Sequence, residues 1–97
     1  MQRRGHKLRT RHLLVLFTQG RGSESRFGLV VSKKVGNAVK RNRVKRWLRE
    51  AFRERRPSVD GRWDMAFIAS PQASSASLRQ LDEEVGQVLA RLRERSR

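Results

Sequence analysis

Two short apolar stretches in the first third of the chain have the spacing of β-strands. Leu13–Phe17 is an unbroken apolar run, too short for a helix and typical of a strand buried on both faces. Further on, Phe27, Leu29 and Val31 fall at every second position, which predicts another strand. The glycine-containing segment 18–25 between them suits a hairpin, so we expect these two strands to pair antiparallel.

Apolar residues then recur with helical spacing over 38–56. They are Val44, Trp47, Leu48, Ala51 and Phe52, and they predict one apolar stripe that packs in the core. Asn37 has the side chain of an N-cap, and Pro57 predicts the stop.

A third strand and a second helix are predicted in the remainder of the chain. Trp63–Ala69 alternates, and Ser70-Pro71 ends it. The helix that follows has its apolar stripe at Leu78, Leu81, Val85, Val88, Leu89 and Leu92. Ser77 and Gln80 predict its capping box, and Asp82-Glu83-Glu84 is expected in its first turn. The order strand, strand, helix, strand, helix predicts one α+β domain over 1–97, with residues 1–11 a flexible arm or a frayed helix end.

Charge is strongly asymmetric along the 97 residues. The chain holds 24 Lys and Arg against nine Asp and Glu, a net charge of +15. Residues 1–56 carry 18 of those bases and only 3 of the acids, so the whole excess lies there. A localised positive field on a small domain indicates a polyanionic partner, with nucleic acid first and a membrane surface second.

Several chemistries are excluded or disfavoured. The chain has no cysteine, which excludes disulfides, thiol catalysis and cysteine-type zinc sites. Its longest apolar run is five residues, far below a membrane span, and no signal-peptide core follows the basic amino terminus, so we expect a cytoplasmic protein. His6 and His12 lack metal-ligand spacing and are interpreted as surface residues. No constellation of nucleophile, base and oxyanion donors is recognisable, so we expect no catalytic residue and no metal site on the polypeptide.

The face of the first helix opposite its apolar stripe is the strongest candidate for a binding site. Asn42, Arg46, Arg49 and Arg53 lie on that arc, flanked by Arg41, Arg43 and Lys45, with Lys33, Lys34 and Lys40 near the helix start. Only Glu50 and Glu54 are close enough to compensate this charge. Arginine binds phosphate with two parallel hydrogen bonds, so the arc is interpreted as a phosphate-binding surface.

These residues carry a family resemblance. The stretch Phe27–Arg53, FGLVVSKKVGNAVKRNRVKRWLREAFR, closely resembles the signature of the bacterial ribonuclease P protein subunit, and Arg41-Asn42-Arg43 matches its Arg-Asn-Arg motif. The strand at 63–69 and the final helix are also similar to the family, so that about residues 3–93 can be aligned.

The resemblance implies a two-layer α/β sandwich with a small mixed sheet and a left-handed β-α-β crossover, like domain 2 of ribosomal protein S5. It also implies that a catalytic RNA removes the 5′ leader of precursor tRNA, using Mg²⁺ that is held mainly by that RNA. The protein would bind the catalytic RNA and the precursor tRNA. No organic cofactor and no obligate protein partner are implied. By position, the residues facing the catalytic RNA would be Lys33, Lys34, Asn37, Arg41, Asn42, Arg43, Lys45, Arg46 and Arg49.

A leader-binding cleft is also implied, with Arg11, Leu14 and Leu16 as its candidate residues. Family members usually begin with a further helix whose aromatic residues line that cleft. Here Met1 falls near the end of that helix and Gln2 stands at a usual aromatic position. Either the chain is recorded from a downstream start, or it grips the leader less by stacking.

Two other functions fit the charge. One is a structural RNA-binding protein of the ribosomal kind, which would share the sandwich but have no leader cleft. The other is a DNA-binding module that places its helix in the major groove. The RNA that co-purifies with the chain, and its preference between duplex DNA and structured RNA at matched salt, discriminate the three.

Overall fold

The computed structural model describes residues 5–20, 26–55 and 63–95. Within them the chain forms four strands and two long helices. The strands are β1 (His6–Arg9), β2 (Leu13–Gln19), β3 (Arg26–Val30) and β4 (Trp63–Ala69), and the helices are α1 (Ala38–Arg55) and α2 (Leu78–Arg95). Single 3₁₀ turns at Lys33–Val35 and Pro71–Ser75 precede the two helices. The α+β class is confirmed.

The sheet is mixed, with the strand order β1-β2-β4-β3. β2 pairs antiparallel with β1 and with β4, whereas β3 pairs parallel with β4. The predicted antiparallel pairing of β2 with β3 is therefore wrong, because β4 lies between them. α1 makes the crossover that joins the parallel neighbours β3 and β4, and parallel strands require a connection of this length.

The two faces of the sheet have different environments. Leu13, Val15 and Phe17 of β2 are buried, while Leu14 is half-buried and Leu16 is 39% exposed. The prediction that this run is buried on both faces is therefore wrong, since only one face meets the helices. On β4 the same alternation buries Trp63, Met65, Phe67 and Ala69, as predicted. We call the other side, which the helices do not cover, the open sheet face.

The two helices pack on the buried face and begin as predicted. The Asn37 side chain accepts a hydrogen bond from the Lys40 backbone N–H at 3.0 Å, which caps α1. At the start of α2 the Gln80 N–H donates to the Ser77 hydroxyl and the Ser77 N–H donates to the Gln80 side chain, at 3.1 and 2.9 Å. Both halves of the capping box are thus formed. The predicted stop residue Pro57 lies outside the described residues.

Two apolar positions of the helices are more exposed than predicted. Trp47 is only half-buried and packs on the edge of the core, although its spacing placed it in the apolar stripe. Leu78, the first residue of α2, is 49% exposed. The other stripe residues, including Val44, Leu48 and Leu81, are buried as predicted. Both residues line a hollow between α1 and α2, which accounts for their exposure.

The amino-terminal segment contains a strand that the sequence analysis missed. Residues 6–9 form β1 and pair along β2, so for them the predicted arm or frayed helix is wrong. Only four residues long and mostly charged, this strand has little apolar alternation of its own. On the buried face, its register places His6 beside Phe17 and Leu8 beside Val15. On the open sheet face, it places Lys7 beside Leu16 and Arg9 beside Leu14.

A buried polar cluster fastens the turn between β1 and β2 to α2. The Glu84 carboxylate lies 2.6 Å from His12 Nδ1, and it accepts hydrogen bonds from the His12 backbone N–H at 2.9 Å and the Thr10 hydroxyl at 2.6 Å. His12 is only 5% exposed, so its assignment to the surface is wrong, whereas His6 is exposed as predicted. Burial alone would raise the pKa of Glu84, but these hydrogen bonds and the neighbouring imidazole together lower it.

The acidic group Asp82-Glu83-Glu84 lies in the second turn of α2, and the first turn of that helix holds no acid. Its expected role at the helix dipole is therefore wrong. Asp82 instead receives a hydrogen bond from the Arg55 guanidinium at 3.1 Å, which ties α2 to the end of α1.

Neither described helix is long and apolar enough to cross a membrane.

Candidate nucleic-acid interface

The outward side of α1 presents a row of cationic side chains. We define the basic helix face as Asn42, Arg46, Arg49 and Arg53, which lie at i, i+4, i+7 and i+11 and are all exposed. Their exposure follows from the burial of Val44, Leu48 and Phe52 on the other side of the helix. The sequence therefore predicted this face correctly from helical periodicity alone.

Few acids neutralise the basic helix face. Arg53 donates a 2.6 Å hydrogen bond to Glu50, which is an exposed pair and hence weakly stabilising. Arg46 and Arg49 make no ion pair within the described parts of the chain. Two guanidinium groups one turn apart are thus available to an external anion, and their planar donors suit a phosphate.

The flanking cations are more engaged with the protein itself. Arg41 donates to the Gly36 carbonyl at 3.3 Å, and Arg43 donates to the Ser74 carbonyl at 3.3 Å. Arg43 also lies over the Trp47 ring, 5.3 Å from its centroid. Both arginines and Lys45 are half-buried. Arg41 and Arg43 therefore have a structural role in addition to any contact with a ligand.

Lys33, Lys34 and Asn37 lie where the chain enters α1. The two lysines are exposed in the 3₁₀ turn, which the Ser32 hydroxyl caps by accepting from the Lys34 N–H at 3.3 Å. Gly36 separates this turn from the helix with φ of +150°, a conformation that favours glycine. Two exposed lysines thus precede the amino-terminal end of α1 in the chain, and the dipole at that end also favours anions.

The other predicted site residues lie on or beside the open sheet face. Leu14 and Leu16 point to that face, and Arg11 is exposed in the turn between β1 and β2. Sequence reasoning missed Lys7 and Arg9, which the register of β1 places beside the two leucines. The only signal was the alternation within residues 6–9, and it was too short to predict a strand.

A cavity of about 520 Å³ opens at one end of this face. Lys7, Leu16, Thr18 and Ala66 are among its lining residues, and its walls are mostly apolar. Asp64 also lines the cavity, and its carboxylate forms an ion pair at 3.2 Å with Arg26 of the neighbouring strand β3. In residues 5–20, 26–55 and 63–95, no group of three or more His, Asp or Glu side chains could hold a metal ion.

The structure is thus a small α+β protein, with two helices on one side of a mixed sheet, a row of exposed cations on α1 and a half-apolar open sheet face. Comparison with known proteins makes this specific. The family model described as Ribonuclease P matches residues 1–93. The chain therefore belongs to the ribonuclease P protein family.

Relatives and solved structures agree with this assignment. The ribonuclease P protein component of Desulforapulum autotrophicum is 33% identical over 92 residues, which is 95% of this chain and 79% of that protein. That of Geobacter sp. strain M21 is 40% identical and covers 92% of this chain and 76% of its own length. The structure of the Thermotoga maritima RNase P protein superposes with a TM-score of 0.82 at 31% identity, over 90% of this chain and 83% of that one.

Proposed function

We propose that this chain is the RNA-binding subunit of ribonuclease P and that its basic helix face docks on the catalytic RNA. The observation that carries the proposal is the pair Arg46 and Arg49, exposed on α1 without an acidic partner in the described residues. Lys33, Lys34, Asn37 and Asn42 extend the same surface toward the helix start. Neutralising phosphates there releases counterions from the RNA, which makes affinity fall steeply with salt.

The open sheet face is the proposed site for the 5′ leader of precursor tRNA. Leu14 and Leu16 offer apolar surface to bases, while Lys7, Arg9 and Arg11 lie beside them for phosphates. This combination is what sequence-tolerant binding of single-stranded nucleic acid requires. Positions 14 and 16 are leucines rather than aromatic residues, so we expect the face to bind the leader through apolar contact and charge.

The hydrolysis itself is assigned to the RNA subunit, with Mg²⁺ held mainly by that RNA. The contribution of the protein is affinity: it holds the catalytic RNA and the substrate together and so lowers the Mg²⁺ concentration that cleavage needs. We propose no organic cofactor and no catalytic side chain on this polypeptide.

The test is cleavage of a precursor tRNA by the catalytic RNA of the source organism at limiting Mg²⁺, with and without the chain. We expect a clear increase in the cleavage rate. Arg46→Ala should weaken binding to the RNA and reduce the slope of log K against log salt by about one contact. The matched control is Arg91→Ala, which removes the same charge from the exposed side of α2 next to β1.

Two results would contradict the proposal. If the chain neither binds the catalytic RNA nor stimulates cleavage, it does not act as this subunit. If Arg46→Ala and Arg91→Ala alter the salt slope equally, the basic helix face is not the docking surface.

A further inference from the structure

A second hollow lies at the outer edge of the sheet, away from the open sheet face. It has a volume of about 480 Å³ and runs between β3 and α1. We call it the β3-edge groove; its lining residues are Phe27, Gly28, Leu29, Lys45, Arg49, Phe52 and Arg53. β3 is the last strand of the sheet, and its outer edge has no strand partner among the described residues.

The floor of the β3-edge groove is formed by aromatic rings that pack against one another. The rings of Phe27 and Phe52 lie 4.0 Å apart between centroids with a tilt of 32°. Phe27 also meets Phe67 edge-on at 6.0 Å, which anchors it to the core. Phe52 is 2% exposed, whereas Phe27 is half-buried, so Phe27 is the ring that a ligand can reach.

The rim of the groove is cationic, and none of the described residues that line it is acidic. Lys45, Arg49 and Arg53 border the opening, and Arg49 belongs to the basic helix face. By contrast, the hollow between α1 and α2, which Trp47 and Leu78 line, also holds Glu50, Glu54 and Asp82. Charge therefore favours an anionic ligand in the β3-edge groove over the hollow between the helices.

We propose that the β3-edge groove receives one unpaired nucleotide of the catalytic RNA, with its base against Phe27 and its phosphate on Arg49 and Lys45. The proposal rests on the proposed function, because it presumes that the basic helix face docks on that RNA. The volume of the groove is in the range of small-ligand pockets. Its combination of a ring face and flanking cations matches how proteins take up single-stranded bases.

The experiment measures affinity for the transcribed catalytic RNA over a salt series, together with chemical probing of its unpaired bases. With the unaltered chain we expect at least one unpaired base to become protected. Phe27→Leu should weaken binding about 5- to 10-fold and restore the reactivity of that base. Because leucine changes no charge, the salt slope should stay unchanged, whereas Arg49→Ala should lower it by about one.

Two further variants separate stacking from stability. Phe27→Tyr keeps the ring face and should retain the affinity and the protection. Phe17→Leu makes the same substitution at a ring of β2 that is 2% exposed and that β4 separates from β3, and it should bind the catalytic RNA as the unaltered chain does once urea titration shows that it is folded. If Phe27→Leu does not fold, the groove proposal is decided by probing the unaltered chain and Arg49→Ala. Protection of an unpaired base by the unaltered chain and its loss with Arg49→Ala support the proposal, and the absence of protection by the unaltered chain overturns it.

The groove and the proposed function fail in different ways. If the unaltered chain binds the RNA and Arg46→Ala weakens it, but Phe27→Leu binds equally well or no unpaired base is protected, the groove proposal is overturned and the docking surface stands. If Phe17→Leu weakens binding as much as Phe27→Leu does, the effect is one of stability and the groove proposal is again overturned. If the unaltered chain does not bind the RNA, both proposals fail.

Discussion

Glu84 offers the sharpest test of how this small domain is held together. Its carboxylate is the acceptor for the backbone N–H and for Nδ1 of His12 and for the Thr10 hydroxyl, at 2.6–2.9 Å. Glu84→Ala leaves the two His12 groups without an acceptor in a position that is 5% exposed. An unpaired buried donor costs about 1–3 kcal/mol.

We therefore expect Glu84→Ala to lower the free energy of unfolding by about 3 kcal/mol, out of the roughly 5–15 kcal/mol that is usual for a domain. In a domain of this size that corresponds to a fall in Tm of about 12 °C or more. Urea titration followed by circular dichroism measures the first quantity, and a thermal scan measures the second.

The control is Glu83→Ala, one residue earlier on α2, where the side chain is exposed. It removes the same carboxylate and leaves the same methyl group, so both variants share any effect of helix propensity or net charge. We expect it to change stability by less than about 0.5 kcal/mol. Equal stabilities of the two variants would refute the role assigned to the buried cluster.

The lowered pKa of Glu84 adds a dependence on pH. An acid whose pKa is lower in the folded state contributes stability above its ordinary pKa of about 4.3, and that contribution is lost as the pH falls through the lowered value. From pH 5 downward the unaltered chain should therefore lose more stability than Glu84→Gln does. Parallel acid-unfolding curves for the two proteins would contradict this expectation.

Three further substitutions test other parts of the fold by urea titration. Gly36→Ala should cost about 1–3 kcal/mol, because φ is +150° there and a Cβ would lie 2.9 Å from Lys40 Cδ; a neutral result would mean that the entry to α1 is not strained. Asn37→Ala should cost about 1 kcal/mol through loss of the cap, and an unchanged helix stability would contradict that bond. Phe67→Ala, at a ring 1% exposed, should cost about 3–5 kcal/mol, and a cost below 1 kcal/mol would show that it lies outside the core.

The local elements of the fold could be predicted from the sequence because their determinants are local. Helical spacing placed α1 and its exposed cations, and capping residues placed the starts of both helices. Alternation likewise placed β4 at Trp63–Ala69.

The features that the sequence analysis missed depend on partners far along the chain. β2 and β3 looked like a hairpin, but β4, whose residues begin at Trp63, pairs with both of them. His12 looked like a surface residue because its acceptor Glu84 lies 72 residues later. β1 is stabilised by β2 and has too little apolar alternation to predict a strand by itself. Pairing between distant segments is a property of the assembled sheet, and local spacing does not encode it.

The strand order has a consequence for the time at which the basic helix face becomes ordered during synthesis. β3 and α1 leave the ribosome before β4 and α2, yet β3 pairs with no described strand except β4, and α1 packs against α2. At the usual 5–20 residues per second, the cationic segment is therefore made seconds before the elements that fix its shape. Repulsion among its arginines opposes a helix during that interval. A nascent or truncated chain thus carries the positive charge of α1 without the ordered face on which the proposed docking depends.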